Sequence, residues 1–298
     1  MALSCPTKLR KRFCSFCNNP TPDEVHKMEL LEYIFFRNAL AGTLLACVAC
    51  GIAGTYIVSR RLLFICGGIT HSSFGGVGLG MYFSFSPTIG AFIFAVASAL
   101  GIQFLGKRRE IREDSAIALL WVLGMTTGVI FCFLSPGYSA ELSTYLFGNI
   151  LTITGTDIAT LAVICIALIA FTATMHRCIV ATAFDKEFAG SRGLPTEAIE
   201  TTMVVFVALT IVACLRLAGV ILVISMLTIP QMTAMIFTDS YKKIILLSMA
   251  AGYIASCGGL ALSFALDIPG GASVILCSLA LYALCAIGKK LTRMLAPQ

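Results

Sequence analysis

Residues 59–82, SRRLLFICGGITHSSFGGVGLGMY, decide the class of this protein. Two arginines stand before an apolar segment of about 20 residues, the length of helix that crosses a hydrocarbon core of about 30 Å. His71 lies in the middle of that segment, among six glycines. At a rise of about 1.5 Å per residue it lies about 15 Å beyond Arg61, close to the bilayer midplane. The sequence therefore predicts a polar side chain that can bind metal, deep inside a membrane.

The composition of the whole chain supports a membrane protein. Hydrophobic residues make up 58% of the 298 residues, charged residues make up 12%, and the mean hydropathy is +0.93. A soluble domain has too little polar surface for that composition. The apolar stretches predict an all-α, polytopic transmembrane helical bundle of about eight or nine spans. The nine candidate spans are residues 34–58, 62–83, 88–106, 115–134, 156–175, 198–215, 217–237, 244–266 and 272–288.

The basic residues predict the orientation of the bundle. Lysines and arginines collect in alternate loops, and such loops lie in the cytoplasm. We therefore expect a multi-pass membrane protein with these loops on the cytoplasmic side. The basic residues of these loops are Arg60, Arg61, Lys107, Arg108, Arg109, Arg112, Arg177, Lys186, Arg192, Lys242, Lys243, Lys289, Lys290 and Arg293.

Residues 1–30 form a basic arm that contains cysteines, and residues 31–298 form the transmembrane domain. A nine-span bundle places this basic arm outside, against the charge rule. Three interpretations stay open: the arm lies on the membrane surface, the true start is near Met28, or the first span is misread. Cys14 and Cys17, with Cys5 and His26, resemble half of a metal knuckle, but structural zinc needs four well-spaced ligands.

The loop after the fifth span, AFDKEFAGSRGLPTEAIE, predicts a short capped helix. Asp185 can cap its first turn, Glu187 suits the positive end of the helix dipole, and Gly193 can adopt the left-handed conformation that ends it. Phe188 is the large apolar side chain of this helix. Such a helix either rests on lipid or docks a soluble partner.

Asp185, Glu187, Ala189 and Gly193 also match the pattern D-x-E-x-A-x-x-x-G of metal-type ABC-transporter permeases. The chain resembles this zinc, manganese and iron import family over about residues 38 to 288. Five further segments occur in the family's order and spacing. They are SRRLLFICGGITHSSFGGVGLG, REDSAIALLWVLGMTTGV, LSTYLFGNIL, RLAGVILVISMLTIPQMTA and LDIPGGASVIL.

The resemblance implies a homodimeric permease in the lipid of the bacterial inner membrane, driven by separate cytoplasmic ABC ATPase subunits and loaded by an extracytoplasmic metal-binding protein. The helix near residues 184–195 becomes the coupling helix, with Asp185, Glu187, Phe188, Ala189 and Gly193 as its contact residues. The chain has no G-x-x-x-x-G-K-[ST] phosphate loop, so ATP hydrolysis is expected on a partner and the chain is not expected to be an enzyme. The metal is cargo, no tightly bound cofactor is expected, and no nucleic-acid partner is expected.

The family motif at the predicted metal pathway commonly reads G-D-A-L-S-H, where this chain reads CGGITH at residues 66–71. His71 matches, but the acidic residue is absent. Cys66 or Thr70 then becomes a candidate ligand, or the metal is softer or differently held. Thiolate and imidazole favour zinc over manganese, which prefers oxygen ligands. Zinc is therefore the favoured cargo, with manganese and iron as alternatives.

Two further features are candidates for the transport path. Glu113 and Asp114 match an acidic pair of the family and are candidates for cation exit, although Asp114 is also a plausible helix cap. Pro230 cannot donate a backbone hydrogen bond, so a kink is expected there, acting as a gate or as a static bend.

Two other functions compete with metal import. A permease for a metal chelate or cobalamin has related architecture, but such relatives typically have ten spans. An intramembrane enzyme would use Ser72 or Ser73 with His71. Adjacent helical residues point about 100° apart, so Ser72 is poorly placed to use His71 as a base, and no G-x-S-x-G elbow occurs.

Overall fold

A computed structural model describes residues 34–106, 112–135 and 153–295. Within these ranges the chain forms eleven α-helices and no strand, which confirms the all-α class. The predicted arm over residues 1–30, with Cys14 and Cys17, lies outside the described residues. The helices in chain order are α1 Ile34–Arg60, α2 Leu63–Tyr82, α3 Pro87–Gly106, α4 Glu113–Leu134, α5 Gly155–Thr174, α6 His176–Phe184, α7 Lys186–Ser191, α8 Thr196–Met226, α9 Ile229–Phe237, α10 Tyr241–Leu266 and α11 Gly270–Leu295.

Seven stretches of the described chain are long and apolar enough to cross a membrane, which confirms a polytopic bundle. The 20-residue α2 is not among the seven, because its glycines contribute no apolar side chain. The seven stretches are Arg37–Arg60, Pro87–Gly106, Asp114–Leu134, Gly155–Thr174, Thr196–Phe237, Tyr241–Leu266 and Gly270–Thr292.

The 42-residue stretch Thr196–Phe237 turns back on itself at Gly219. Gly219 has φ 68° and ψ 170° between two helical segments, a conformation that is essentially restricted to glycine. Met203, near the start of the stretch, packs in one cluster with Tyr241, just beyond its end. Both ends therefore lie on the same side, and the stretch crosses twice. With single crossings by α1 to α5, α10 and α11, the described helices make nine crossings.

The division of this stretch that the sequence predicts at Arg216 lies three residues before the turn that the structure shows. A charge in an apolar run is visible in a sequence, whereas the backbone conformation that reverses the chain is not. Each of the other seven predicted spans corresponds to one described helix.

Backbone contacts hold α2 between α3 and α4. A Cβ atom added to Gly76 would lie 2.0 Å from the carbonyl oxygen of Gly90 on α3. A Cβ atom added to Gly124 on α4 would lie 2.4 Å from the Cα atom of Ser72. Small residues allow this approach, as they do in many membrane helix pairs. As a result, His71 lies on the most tightly packed helix of the bundle.

Two apolar clusters organise the described residues. The larger one fills the interior between the membrane helices. The smaller one lies at the cytoplasmic end and joins α1, α6, α8 and α10, so it fixes the short helix that leads into α7. Its buried members are Tyr56, Ile179, Ala183, Ile199, Met203 and Tyr241.

Candidate functional site

His71 lies in the middle of α2 and stacks on Trp121 of α4. The ring centroids are 4.4 Å apart and the ring planes differ by 6°. Trp121 remains about one third exposed, and His71 is partly buried. The sequence pattern indicated His71 but not Trp121, although Trp121 is the chain's only tryptophan and its rarity was a visible signal.

One pocket opens beside this pair, between α2, α3, α4 and α8. His71, Met125 and Arg216 bring an imidazole, a thioether and a guanidinium to its wall. The remaining wall is apolar or carries hydroxyl groups. The lining residues are Thr70, His71, Ser73, Phe74, Val77, Thr88, Ala91, Met125, Val212, Leu215, Arg216 and Val220.

Thr70 and Cys66 do not join His71 in one ligand set. The Thr70 hydroxyl donates to the Cys66 carbonyl oxygen at 2.6 Å, and the Cys66 side chain is fully buried in the larger apolar cluster. Residues 66 and 71 of a helix point about 140° apart. Among the described residues no group of three or more His, Cys, Asp or Glu side chains could hold a metal ion. In the described part of one chain, His71 therefore belongs to no cluster of three or more such ligands.

The serines beside His71 are occupied by the backbone. The hydroxyl of Ser72 donates to the carbonyl oxygen of Ile69 at 3.1 Å, and that of Ser73 donates to the carbonyl oxygen of Thr70 at 2.7 Å. This geometry gives His71 no nucleophile to activate.

A second histidine, His176, begins α6 at the cytoplasmic end, with its ring centroid 6.0 Å from that of Tyr241. Burial lowers the pKa of His176, and the neighbouring Lys242 ammonium lowers it further. The third histidine, His26, lies outside the described residues. Within the described residues, no second imidazole lies beside His71.

The acidic pair lies below His71, at the cytoplasmic mouth. The helix α4 begins at Glu113, whose side chain is outside the described residues, and Asp114 is exposed in the first turn. Asp114 precedes Trp121 by seven residues, about 10 Å along the helix. The alternative that Asp114 caps this helix is wrong, because the cap position is Arg112.

An ion pair closes the outer end of the pocket. The Arg216 guanidinium lies 2.9 Å from the Asp157 carboxylate, and the Asp157 side chain is only 13% exposed. Asp157 also forms a reciprocal capping box with Thr154 at the start of α5. The carboxylate therefore neutralises Arg216 beside a pocket that would otherwise repel cations.

The predicted cytoplasmic helix is α7. The Asp185 carboxylate accepts a hydrogen bond from the Phe188 amide at 2.9 Å, and Gly193 has φ +75° where the chain leaves the helix. Ala189 is buried against the bundle, whereas Phe188 is 54% exposed. The helix thus presents an aromatic side chain outward from a firmly capped turn. Glu187, in its first turn, is also exposed.

A charged junction that the sequence pattern does not predict joins α7 to the membrane helices. The Glu200 carboxylate, on the first turns of α8, binds Lys186 of α7 with one oxygen and Arg60 of α1 with the other, the latter at 2.6 Å. Arg60 also donates to the carbonyl oxygen of Thr182 on α6 at 3.3 Å. The side chains of Arg60 and Glu200 are only 18% and 15% exposed. One carboxylate therefore connects three helices.

The helix is interrupted just before Pro230. Proline lacks the N–H that would bind the Met226 carbonyl oxygen, and α8 ends at that residue. The Gln231 side-chain amide donates to this oxygen at 3.2 Å and to the Cys50 carbonyl oxygen of α1 at 2.7 Å. Gln231 thereby satisfies the freed carbonyl and ties the break to α1.

Comparison with known proteins agrees with this arrangement. A family model described as the ABC 3 transport family matches residues 32–289. An uncharacterized membrane protein of Synechocystis sp. is 35% identical over 249 residues, which cover 84% of this chain and 89% of the relative. The manganese transport system membrane protein MntC of Halalkalibacterium halodurans is 29% identical over 256 residues, covering 86% and 88%. The solved structure of PsaBC from Streptococcus pneumoniae in complex with Fab matches with a TM-score of 0.78 at 26% identity, covering 86% of this chain and 92% of that chain.

The chain belongs to the ABC 3 transport family. It is a multi-pass, inner-membrane permease subunit of an ABC metal transporter, and it is not an enzyme, since ATP hydrolysis resides on separate subunits.

Proposed function

We propose that this chain forms a homodimeric permease that imports a divalent transition metal ion, with zinc favoured. The observation that carries the proposal is the position of His71, which lies about 15 Å inside the membrane on the wall of a pocket. A titratable ligand at that depth marks a transport path far more often than a lipid contact. Two copies of His71 facing one pore would supply half of a tetrahedral site.

The choice of zinc rests on the residues around His71. No carboxylate is among the described residues that line this pocket, and Met125 adds a thioether to it. Nitrogen and sulfur ligands favour zinc, whereas manganese favours oxygen. The relative named for manganese transport keeps manganese as the main alternative, with iron next.

The coupling part of the proposal assigns α7 to the ATPase. Asp185 and Gly193 shape its ends, Ala189 anchors it, Glu187 adds an exposed charge in its first turn, and Phe188 projects as a knob for a cleft on the ATPase subunit. Movement of α7 reaches the membrane helices through Glu200. The break before Pro230 would serve as a gate, and Glu113 with Asp114 would attract the ion at the cytoplasmic exit. An extracytoplasmic metal-binding protein would load the outer side.

The proposal is tested by isolating the complex from native membranes and measuring ATP hydrolysis and uptake of labelled zinc, manganese and iron. His71→Asn should abolish metal-stimulated hydrolysis and uptake, while His176→Asn should leave both unchanged. Gly193→Arg should lose the associated ATPase, because arginine is strained at φ +75° and projects into the docking surface. Gly155→Ala is the control, since a Cβ atom at position 155 would meet no atom within 4 Å. Stimulation by a metal chelate instead of a free ion would contradict this function.

A further inference from the structure

The indole of Trp121 covers the side of α2 that carries both His71 and Gly67. It lies parallel to the imidazole at a centroid distance of 4.4 Å. A Cβ atom added to Gly67 would have only one atom of another residue within 4 Å, the Cζ3 carbon of Trp121 at 3.7 Å. Residues 67 and 71 are one turn apart on the same helix face. The indole therefore covers the helix face that carries position 67 and His71, and it leaves ordinary van der Waals room for a Cβ atom at position 67.

Stacking and metal binding use different parts of an imidazole. The indole contacts the ring face, whereas a metal binds the lone pair of a ring nitrogen in the ring plane. A flat aromatic neighbour therefore fixes the orientation of the ring without consuming a ligand position. If the ring is already fixed, metal binding does not have to immobilise the His71 side chain, and less conformational entropy is lost.

The pocket determines where the free edge of the ring can meet an ion. His71 lines that pocket, and so does Met125, which follows Trp121 by one turn of α4. The indole and the thioether thus come from neighbouring positions on one helix face. The residues that line the pocket therefore offer an imidazole nitrogen and a thioether sulfur but no carboxylate, and such ligands suit zinc better than manganese.

We propose that Trp121 is a positioning residue, which holds the His71 ring so that its metal-binding nitrogen faces the pocket and thereby favours zinc over manganese. This inference rests on the proposed metal transport and adds a residue and a selectivity mechanism to it.

The chain's single tryptophan makes the proposal directly measurable. The complex with its ATPase subunits is placed in lipid nanodiscs, and the emission of the Trp121→Phe complex is subtracted from that of the wild type. The difference reports Trp121 alone. Titration with zinc chloride in a metal buffer should change it saturably, with the same midpoint as zinc-stimulated ATP hydrolysis. The change should be absent in His71→Asn.

Variants separate positioning from packing. Trp121→Phe keeps an aromatic face and should shift the half-maximal zinc concentration for ATP hydrolysis by less than about twofold, whereas Trp121→Leu should raise it by about fivefold, the scale of an aromatic contact. Phe64→Leu, which removes an aromatic side chain that is 73% exposed, is the matched control and should have no effect.

Two results overturn the proposal. The first is zinc-stimulated hydrolysis in a wild-type complex whose Trp121 emission does not change. The second is an equal midpoint for wild type and Trp121→Leu. If no metal stimulates the wild-type complex at all, metal transport itself is contradicted and this inference falls with it.

Discussion

At the residue scale, Gly67 differs from the other glycines of α2. A Cβ atom added to Gly68 would lie 2.6 Å from the Ile117 side chain, and one added to Gly76 would strike the backbone of α3. At Gly67 the nearest atom is at an ordinary van der Waals distance. Close helix packing therefore explains Gly68 and Gly76 but leaves Gly67 free to accept a side chain.

Gly67→Asp should shift cargo preference from zinc towards manganese. The new carboxylate would stand one turn from His71 and supply an oxygen ligand with a negative charge. We expect the ratio of manganese to zinc uptake to rise about tenfold, which corresponds to about 1.4 kcal/mol. Uptake of both labelled ions at equal concentration measures this. Gly67→Asn provides a side chain of the same size without the charge, and an equal shift in that variant would contradict the explanation.

At the element scale, the Glu200 junction links the proposed docking helix to the bundle. Lys186 belongs to α7, Arg60 ends α1 and Glu200 begins α8. A displacement of α7 is therefore transmitted to two membrane helices through one carboxylate. Tyr56 and Ile199 of the smaller apolar cluster lie close in the chain to Arg60 and Glu200, whose side chains are largely buried.

Glu200→Gln should weaken the coupling of ATP hydrolysis to transport. The amide keeps the shape but loses the charge that binds both cations, and charged hydrogen bonds are about twice as strong as neutral ones. We expect the number of metal ions transported per ATP to fall about fivefold, while basal hydrolysis by the complex is retained. Uptake and hydrolysis in the same proteoliposomes measure the ratio. Asp239→Asn, at an exposed position between α9 and α10, is the control, and an equal fall in that variant would indicate a general charge effect.

Gly219→Ala should destabilise the bundle at its tightest reversal. The φ of 68° with ψ of 170° is strained for any residue with a Cβ atom, at a cost of about 1–3 kcal/mol. We expect a lower thermal unfolding midpoint of the complex in detergent. Gly288→Ala has open space around it and should leave the midpoint unchanged or raise it slightly. A midpoint equal to that of the wild type in Gly219→Ala would show that the turn has an alternative conformation.

The sequence was most informative about elements and least informative about contacts. Apolar runs predicted the nine crossings, and Asp185 with Gly193 predicted both ends of α7. The sequence predicted the division of this stretch at Arg216 and not at Gly219, because amino-acid composition does not reveal a backbone dihedral angle. The stacking of Trp121 on His71 and the bonds of Glu200 join residues far apart in the chain. Their proximity depends on how the helices pack, which one sequence does not reveal.

At the scale of the whole molecule, nine crossings place the two ends of the described chain on opposite sides. Arg60 and Lys186 meet at the cytoplasmic end, so residue 34, at the other end of α1, lies outside. The last turns of α11 lie at the cytoplasmic end, where Lys289 donates to the carbonyl oxygen of Ile236. Residues 1–30, for which the charge rule conflicts with a nine-span bundle, lie outside the described residues.

Epitope tags at the two termini test this topology. An N-terminal tag should be accessible to antibody on spheroplasts without permeabilisation, and a C-terminal tag should become accessible only after it. The number of crossings gives the reason, since an odd number separates the ends. A C-terminal tag that is accessible before permeabilisation would show that the bundle has the opposite orientation. Two tags on the same side would show that the number of crossings is even. A tagged variant that retains metal uptake serves as the control.

The glycine contacts of α2 have a mechanical consequence for any opening of the pocket. Since its backbone touches those of α3 and α4 with almost nothing between them, these three helices have no compressible layer and behave as one rigid block. The opposite wall is different: Val212, Leu215, Arg216 and Val220 flank the Gly219 turn. A hinge needs a residue that tolerates unusual backbone dihedral angles, and Gly219 is such a residue. Opening of the pocket would then move the turn of α8, while α2, α3 and α4 stay fixed as one block.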